Sequence, residues 1–129
     1  MPKDSLPRPT DAELEILKVL WRRGPSTVRE VFEALSEARG TGYTTVLKLM
    51  QIMAGKGLVK RDEGERAHRY EAALAEDETQ RQLVGDLLRK AFDGSAKNLV
   101  LQALSSERAS AEELAEIRRM LDELERGER

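Results

Sequence analysis

Apolar residues recur at three- and four-residue spacing in three successive stretches between Thr10 and Gly57, and a glycine closes each stretch. Leu14, Leu17 and Trp21 form the first stripe, widened by Ile16 and Leu20, and Gly24-Pro25 ends it. Val28, Val31, Phe32 and Leu35 form the second, broken by Arg39-Gly40-Thr41-Gly42. Val46, Leu49, Met50 and Met53 form the third, with Gly57 where a helix stop belongs. Such spacing places one apolar stripe on each of three helices. Proline cannot extend the hydrogen-bond ladder, and glycine takes the left-handed cap. Thr10-x-x-Glu13 and Thr27-x-x-Glu30 add the reciprocal capping pattern of helix starts. The third helix is predicted over about Tyr43 to Lys56.

After Gly57 the period changes. Leu58-Val59-Lys60-Arg61 and Ala67-His68-Arg69-Tyr70-Glu71 flank Asp62-Glu63-Gly64-Glu65-Arg66, which predicts a β-hairpin over about 58–71. Three helices followed by a hairpin is the order of a winged helix-turn-helix. The first eight or nine residues, with three prolines, predict a loose arm.

From Ala75 the pattern is helical again. Leu83, Val84, Leu87, Leu88, Ala91 and Phe92 make one stripe, and Asp93-Gly94-Ser95 interrupts it. Leu99, Val100, Ala103 and Leu104 make another. Ser110-x-x-Glu113 opens a last helix carrying Leu114, Ile117, Leu121 and Leu124. A helical tail this small buries too little surface by itself. Its stripes are expected to pack on a second copy, with Leu83, Leu87, Leu99, Val100, Leu104, Leu114, Ile117 and Leu121 at the dimer contact. The expected fold is mainly α with a small β-hairpin: a winged helix-turn-helix domain over 1–73, then a three-helix dimerisation domain over 74–129.

Composition removes most chemistry. The 129-residue chain has no cysteine and one histidine, His68, so neither a thiolate nor a histidine-rich metal site is expected. No glycine-rich phosphate loop or Ser/His/Asp set is present, so neither an enzyme nor a cofactor is expected. No apolar run reaches the ~20 residues of a membrane helix. Met1 to Pro9 holds no stretch resembling a secretory signal, and a cytoplasmic location without direct membrane binding is expected.

Charge is unevenly placed. Residues 39–69 carry seven Lys/Arg against three Asp/Glu, whereas 70–129 carry nine against fourteen. No Asp or Glu occurs between Gly40 and Arg61. A basic centre between acidic flanks points to a local polyanion contact. Opposite the apolar stripe, the third helix offers Thr44, Thr45, Lys48, Gln51, Ile52 and Gly55. Thr44 and Thr45 lie in the first turn, where free N–H groups favour a phosphate. Lys48 suits a phosphate or guanine acceptors, and Gln51 suits adenine or the DNA backbone. Ile52 suits either a thymine methyl or partial burial. Lys60, Arg61, Arg66 and Arg69 surround the hairpin and suit flanking phosphates. Tyr43, Tyr70 and Trp21 read as packing residues, and His68 as a structural or phosphate-facing one. The alternative, a winged-helix protein–protein adaptor without DNA binding, is disfavoured by the acid-free third helix.

Glu13-Leu-Glu-Ile-Leu-Lys-Val-Leu-Trp21, Gly24-Pro25-Ser-Thr27-Val-Arg-Glu-Val31, Tyr43-Thr44-Thr45-Val46 and Lys56-Gly57-Leu58-Val59 together resemble the DNA-binding domain of the penicillinase repressor (BlaI/MecI-type) family. Leu99-Val-Leu101 and Ala111-Glu-Glu-Leu-Ala-Glu-Ile117 resemble that family's three-helix dimerisation domain. The resemblance implies a homodimeric winged-helix repressor on a palindromic double-stranded operator, with DNA contacts at Thr44, Thr45 and Lys48. It also implies a membrane sensor peptidase that triggers inactivation. The pair matching the family's Asn-Phe cleavage bond is Gln102-Ala103.

Overall fold

The computed structural model describes residues 7–64, 66, 68–106 and 108–128, of which 36–39 through their backbone. The expected arm lies mainly on residues 1–6, outside the described residues, as do Glu65 of the hairpin tip and Ala67 of its second strand. The order is α1 (Asp11–Arg23), β1 (Ser26–Thr27), α2 (Val28–Arg39), α3 (Tyr43–Lys56), β2 (Val59–Asp62), β3 (Arg69–Ala72), α4 (Glu76–Ala91), α5 (Ala96–Ser106) and α6 (Ala111–Arg126). These divide into two compact units, Met1–Gly85 and Asp86–Arg129.

The local signals act as their chemistry requires. Thr10 Oγ1 accepts from the Glu13 amide at 3.2 Å, and Glu13 Oε1 accepts from the Thr10 amide at 2.8 Å. Thr27 and Glu30 repeat this exchange at the start of α2, at 3.1 and 2.8 Å. Gly57 ends α3 with φ +84°, a left-handed cap in which its N–H reaches back to Ala54 and Met53. Ser110 supplies one half of the expected exchange, accepting from the Glu113 amide at 3.0 Å.

The core of the first unit forms where the three stripes meet. Ile16, Leu17 and Leu20 of α1 pack with Val31 and Leu35 of α2, Val46, Met50 and Met53 of α3, and Leu58, Val59 and Tyr70. Each such side chain taken from water contributes about 1.5–3 kcal/mol before entropy is counted. Trp21, expected in this core, is half-buried: its indole Nε1 donates to the Leu74 carbonyl at 2.9 Å and anchors the exit from β3.

The hairpin becomes a three-stranded antiparallel sheet of order β1-β3-β2. Val59 pairs with Ala72 and Asp62 with Arg69, so the strands are shifted from the expected limits. Ser26 and Thr27 pair with Tyr70 and Arg69 on the other edge. This third strand is an addition to the sequence reading. Two residues carry no alternation, and the strand exists because β3 offers an open edge.

In the second unit, Asp93 (φ +47°) and Gly94 (φ +82°) make the turn before α5. Among the described residues α5 and α6 contain no buried side chain. Leu87, Val100, Leu101, Leu104, Met120, Leu121 and Leu124 stand exposed.

Candidate nucleic-acid interface

Helix α3 has two faces of opposite character. Val46, Met50 and Met53 are fully buried and Leu49 is half-buried, which fixes the helix against α1 and α2. Thr44, Thr45, Lys48, Gln51, Ile52 and Gly55 are all exposed. The four candidate helix residues are therefore brought together on one surface. Gly42, the N-cap, makes no side-chain cap bond, and the first turn holds no acid. The first-turn N–H groups of α3 thus face outward beside Thr44 and Thr45, with the positive end of the helix dipole behind them.

Tyr43 packs on one edge only and remains 39% exposed. Its ring meets Phe32 of α2 edge-on, centroids 5.7 Å apart at 79°. The Arg29 guanidinium carbon lies 5.2 Å from the Tyr43 centroid, a cation–π contact across the start of α3. Arg29 is exposed and joins the basic surface, a residue that sequence reasoning missed. Its one signal was a cation in the first turn of α2, where the helix dipole disfavours positive charge.

The sheet deals with its cations unequally. Lys60 and Arg66 are exposed. Lys60 stands opposite Glu71, and Asp62 opposite Arg69, so opposite charges face each other across the ladder. Arg69 Nη1 also donates to Glu30 Oε1 at 3.3 Å. Arg61 pairs with Glu63, and the Tyr70 side chain first, then Glu63, holds its guanidinium more firmly protonated than usual. Arg66 is exposed and Lys60 faces Glu71 across the ladder, whereas Arg61 and Arg69 already form ion pairs with Glu63 and Glu30. His68 is exposed beside β3, and Tyr70 is buried as expected.

The far end of α3 is tied down by a pair that sequence reasoning also missed. Lys56 Nζ lies 2.7 Å from Glu13 Oε1, and the Glu13 side chain is 3% exposed. Burial pushes the Glu13 carboxyl upward, but Lys56 and the Thr10 bonds outweigh it and hold it below its ordinary value of 4.5. Glu30 is held low as well: the Thr27 backbone bond is the largest cause, burial opposes it next, and Arg69, the Thr27 side chain and Arg23 add to the lowering.

Of the residues expected at a dimer contact, Leu83, Leu99, Leu114 and Ile117 are half-buried. Leu87, Val100, Leu104 and Leu121 are exposed.

Residues 9–123 match the penicillinase repressor family. The chain is 41% identical to the transcriptional regulator BlaI of Mycobacterium tuberculosis over 123 residues, covering 95% of this chain and 88% of that protein. It is 25% identical to the penicillinase repressor of Bacillus licheniformis, covering 92% of each. Among solved structures it resembles the DNA-binding domain of the repressor BlaI in solution, with TM-score 0.51 and 27% identity, over 60% of this chain and 93% of that one. It also resembles monomeric Bacillus licheniformis BlaI in complex with the blaP half-operator, with TM-score 0.51 and 26% identity, over 57% and 89%.

Proposed function

The chain belongs to the penicillinase repressor family, and from that premise we propose that it is a sequence-specific DNA-binding transcriptional repressor acting as a homodimer on a palindromic operator. In this mechanism α3 enters the major groove with Thr44, Thr45, Lys48 and Gln51 toward the DNA. Lys60 and Arg66 neutralise flanking phosphates, joined by Arg61 and Arg69 once these leave their carboxylates. The observation that carries it is the division of α3 into a sealed inner face and an exposed outer face without a carboxylate. The likeness to a BlaI bound to half-operator DNA supports the same placement.

In this reading residues 1–73 bind DNA and 74–129 dimerise, with α4 as the joint, since the compact units divide within it at Gly85. Dimerisation is supported by two helices without a buried residue among those described and by their exposed leucines, which a second copy would cover. Two linked heads make the second half-site contact effectively intramolecular, so operator affinity depends on the dimer. Half-site centres lie a whole number of turns apart, at ~10–10.5 bp each. Inactivation by a membrane sensor peptidase would act through the same dependence. A cut or loosening near Gln102-Ala103 in α5 lowers that effective concentration and releases the operator. No helix among the described residues is long and apolar enough to cross a membrane. The repressor's place of work is the cytoplasm, with the DNA.

The test is selection of bound duplexes from a random DNA pool, followed by gel shifts of the enriched sequence across salt. A palindromic consensus is expected. Between 50 and 200 mM salt, affinity should fall on the order of 10³-fold or more, as six to ten phosphate contacts require. Binding that is indifferent to both sequence and salt would defeat the proposal.

A further inference from the structure

Lys48, Gln51, Ile52 and Gly55 follow one another at i, i+3, i+4 and i+7, so they form a second stripe on α3, turned away from the core. Two members of this stripe are out of place on a solvated helix. Ile52 is 48% exposed. Among the described residues before Ala75, Ile52 and Tyr43 are the two exposed large hydrophobics, and Tyr43 is accounted for by Phe32 and Arg29. Ile52 has no such partner ring or cation in the same set of contacts.

Gly55 is the second anomaly. It lies inside the helix with ordinary backbone angles, and a Cβ built there would meet nothing within 4 Å. Neither a turn nor internal packing calls for glycine, although glycine weakens a helix interior. The room it leaves faces outward, beside Ile52.

We infer that Ile52 is a specificity-determining residue that reads a thymine 5-methyl group in the major groove, and that Gly55 leaves the space for the DNA to approach α3 there. This rests on DNA binding by α3. The chemistry selects the partner. Thymine is the one base that presents a methyl group in the major groove, and an aliphatic side chain recognises it by excluding water. Lys48 and Gln51, which precede Ile52 in the stripe, supply polar contacts to phosphate and neighbouring base edges. A protein partner would meet the same cationic, carboxylate-free surface and lacks that reason to favour it.

The experiment uses the full chain and the duplex enriched from the random pool. Each thymine is replaced in turn by uracil, which removes only the methyl group, and dissociation constants are measured by fluorescence anisotropy. One symmetric pair of thymines should be sensitive, with affinity dropping about fourfold per methyl lost. The Ile52→Ala protein should bind the parent duplex more weakly and be blind to uracil at that pair. It should keep its preference at the other positions. The Gly55→Ala protein should melt a few degrees higher, since alanine favours the helix, yet bind the consensus at least tenfold more weakly. Uracil without effect at every position, or an equal effect in the wild type and Ile52→Ala, would overturn the role of Ile52. Undiminished binding by Gly55→Ala would overturn the role of the open space. Failure of the pool to enrich any duplex would instead remove DNA binding itself, and this reading with it.

Discussion

One carboxylate oxygen, Oε1 of Glu13, accepts both from the Thr10 amide at 2.8 Å and from Lys56 Nζ at 2.7 Å. The start of α1 and the last turn of α3 therefore share an acceptor. Lys56→Met leaves a buried carboxylate with its cap bond but without its cation. The loss should be about 1–3 kcal/mol, read as a lower urea midpoint with an unchanged slope.

The same carboxylate sets a pH dependence. Glu13 and Glu30 both titrate below their ordinary 4.5 in the folded chain. A depressed carboxyl stabilises the fold above its unfolded value, and that stability is lost as pH falls through the folded value. The thermal midpoint should stay level near neutrality and decline from about pH 4.5 downward. Glu13→Gln should lower the neutral midpoint and flatten the acidic decline. An unchanged acidic slope would remove Glu13 from this role.

Among the basic residues, open and committed charges should separate in binding assays. Lys48→Ala and Arg66→Ala should each weaken operator binding across sequences and reduce the log–log salt slope by about one. Arg61→Ala and Arg69→Ala should cost less affinity, because each guanidinium must first release Glu63 or Glu30. Gel shifts at several salt concentrations read both effects.

The exposed leucines of the second unit carry the dimer prediction. Leu121→Glu or Leu87→Glu places a charge on a surface that a partner copy should cover. Sedimentation should show the monomer, and operator affinity should fall about 10²–10⁴-fold. A charged variant that stays dimeric would move the contact elsewhere.

Much of the first unit was legible because its signals are local. The capping pairs at Thr10 and Thr27 and the Gly57 stop act within a few residues of themselves, and the stripe of Val46, Met50 and Met53 fixed which side of α3 faces out. What escaped was long-range. Strand β1 depends on an edge contributed by Tyr70 and Arg69, 42 or more residues away in sequence. Glu13 looked like an ordinary capping acid, since nothing near it announces Lys56. Arg29 belongs to the site only because α2 brings it over Tyr43. Arg69 looked like open charge until the fold set Glu30 beside it.

Thr27 caps α2 and pairs with Arg69 in the sheet, while Glu30 of α2 holds the Arg69 side chain. The stem of the hairpin is thereby riveted to the helix that precedes α3. Pulling on β3 loads the first turn of α2 directly. A groove that displaces the stem of the hairpin therefore displaces the start of α2 with it.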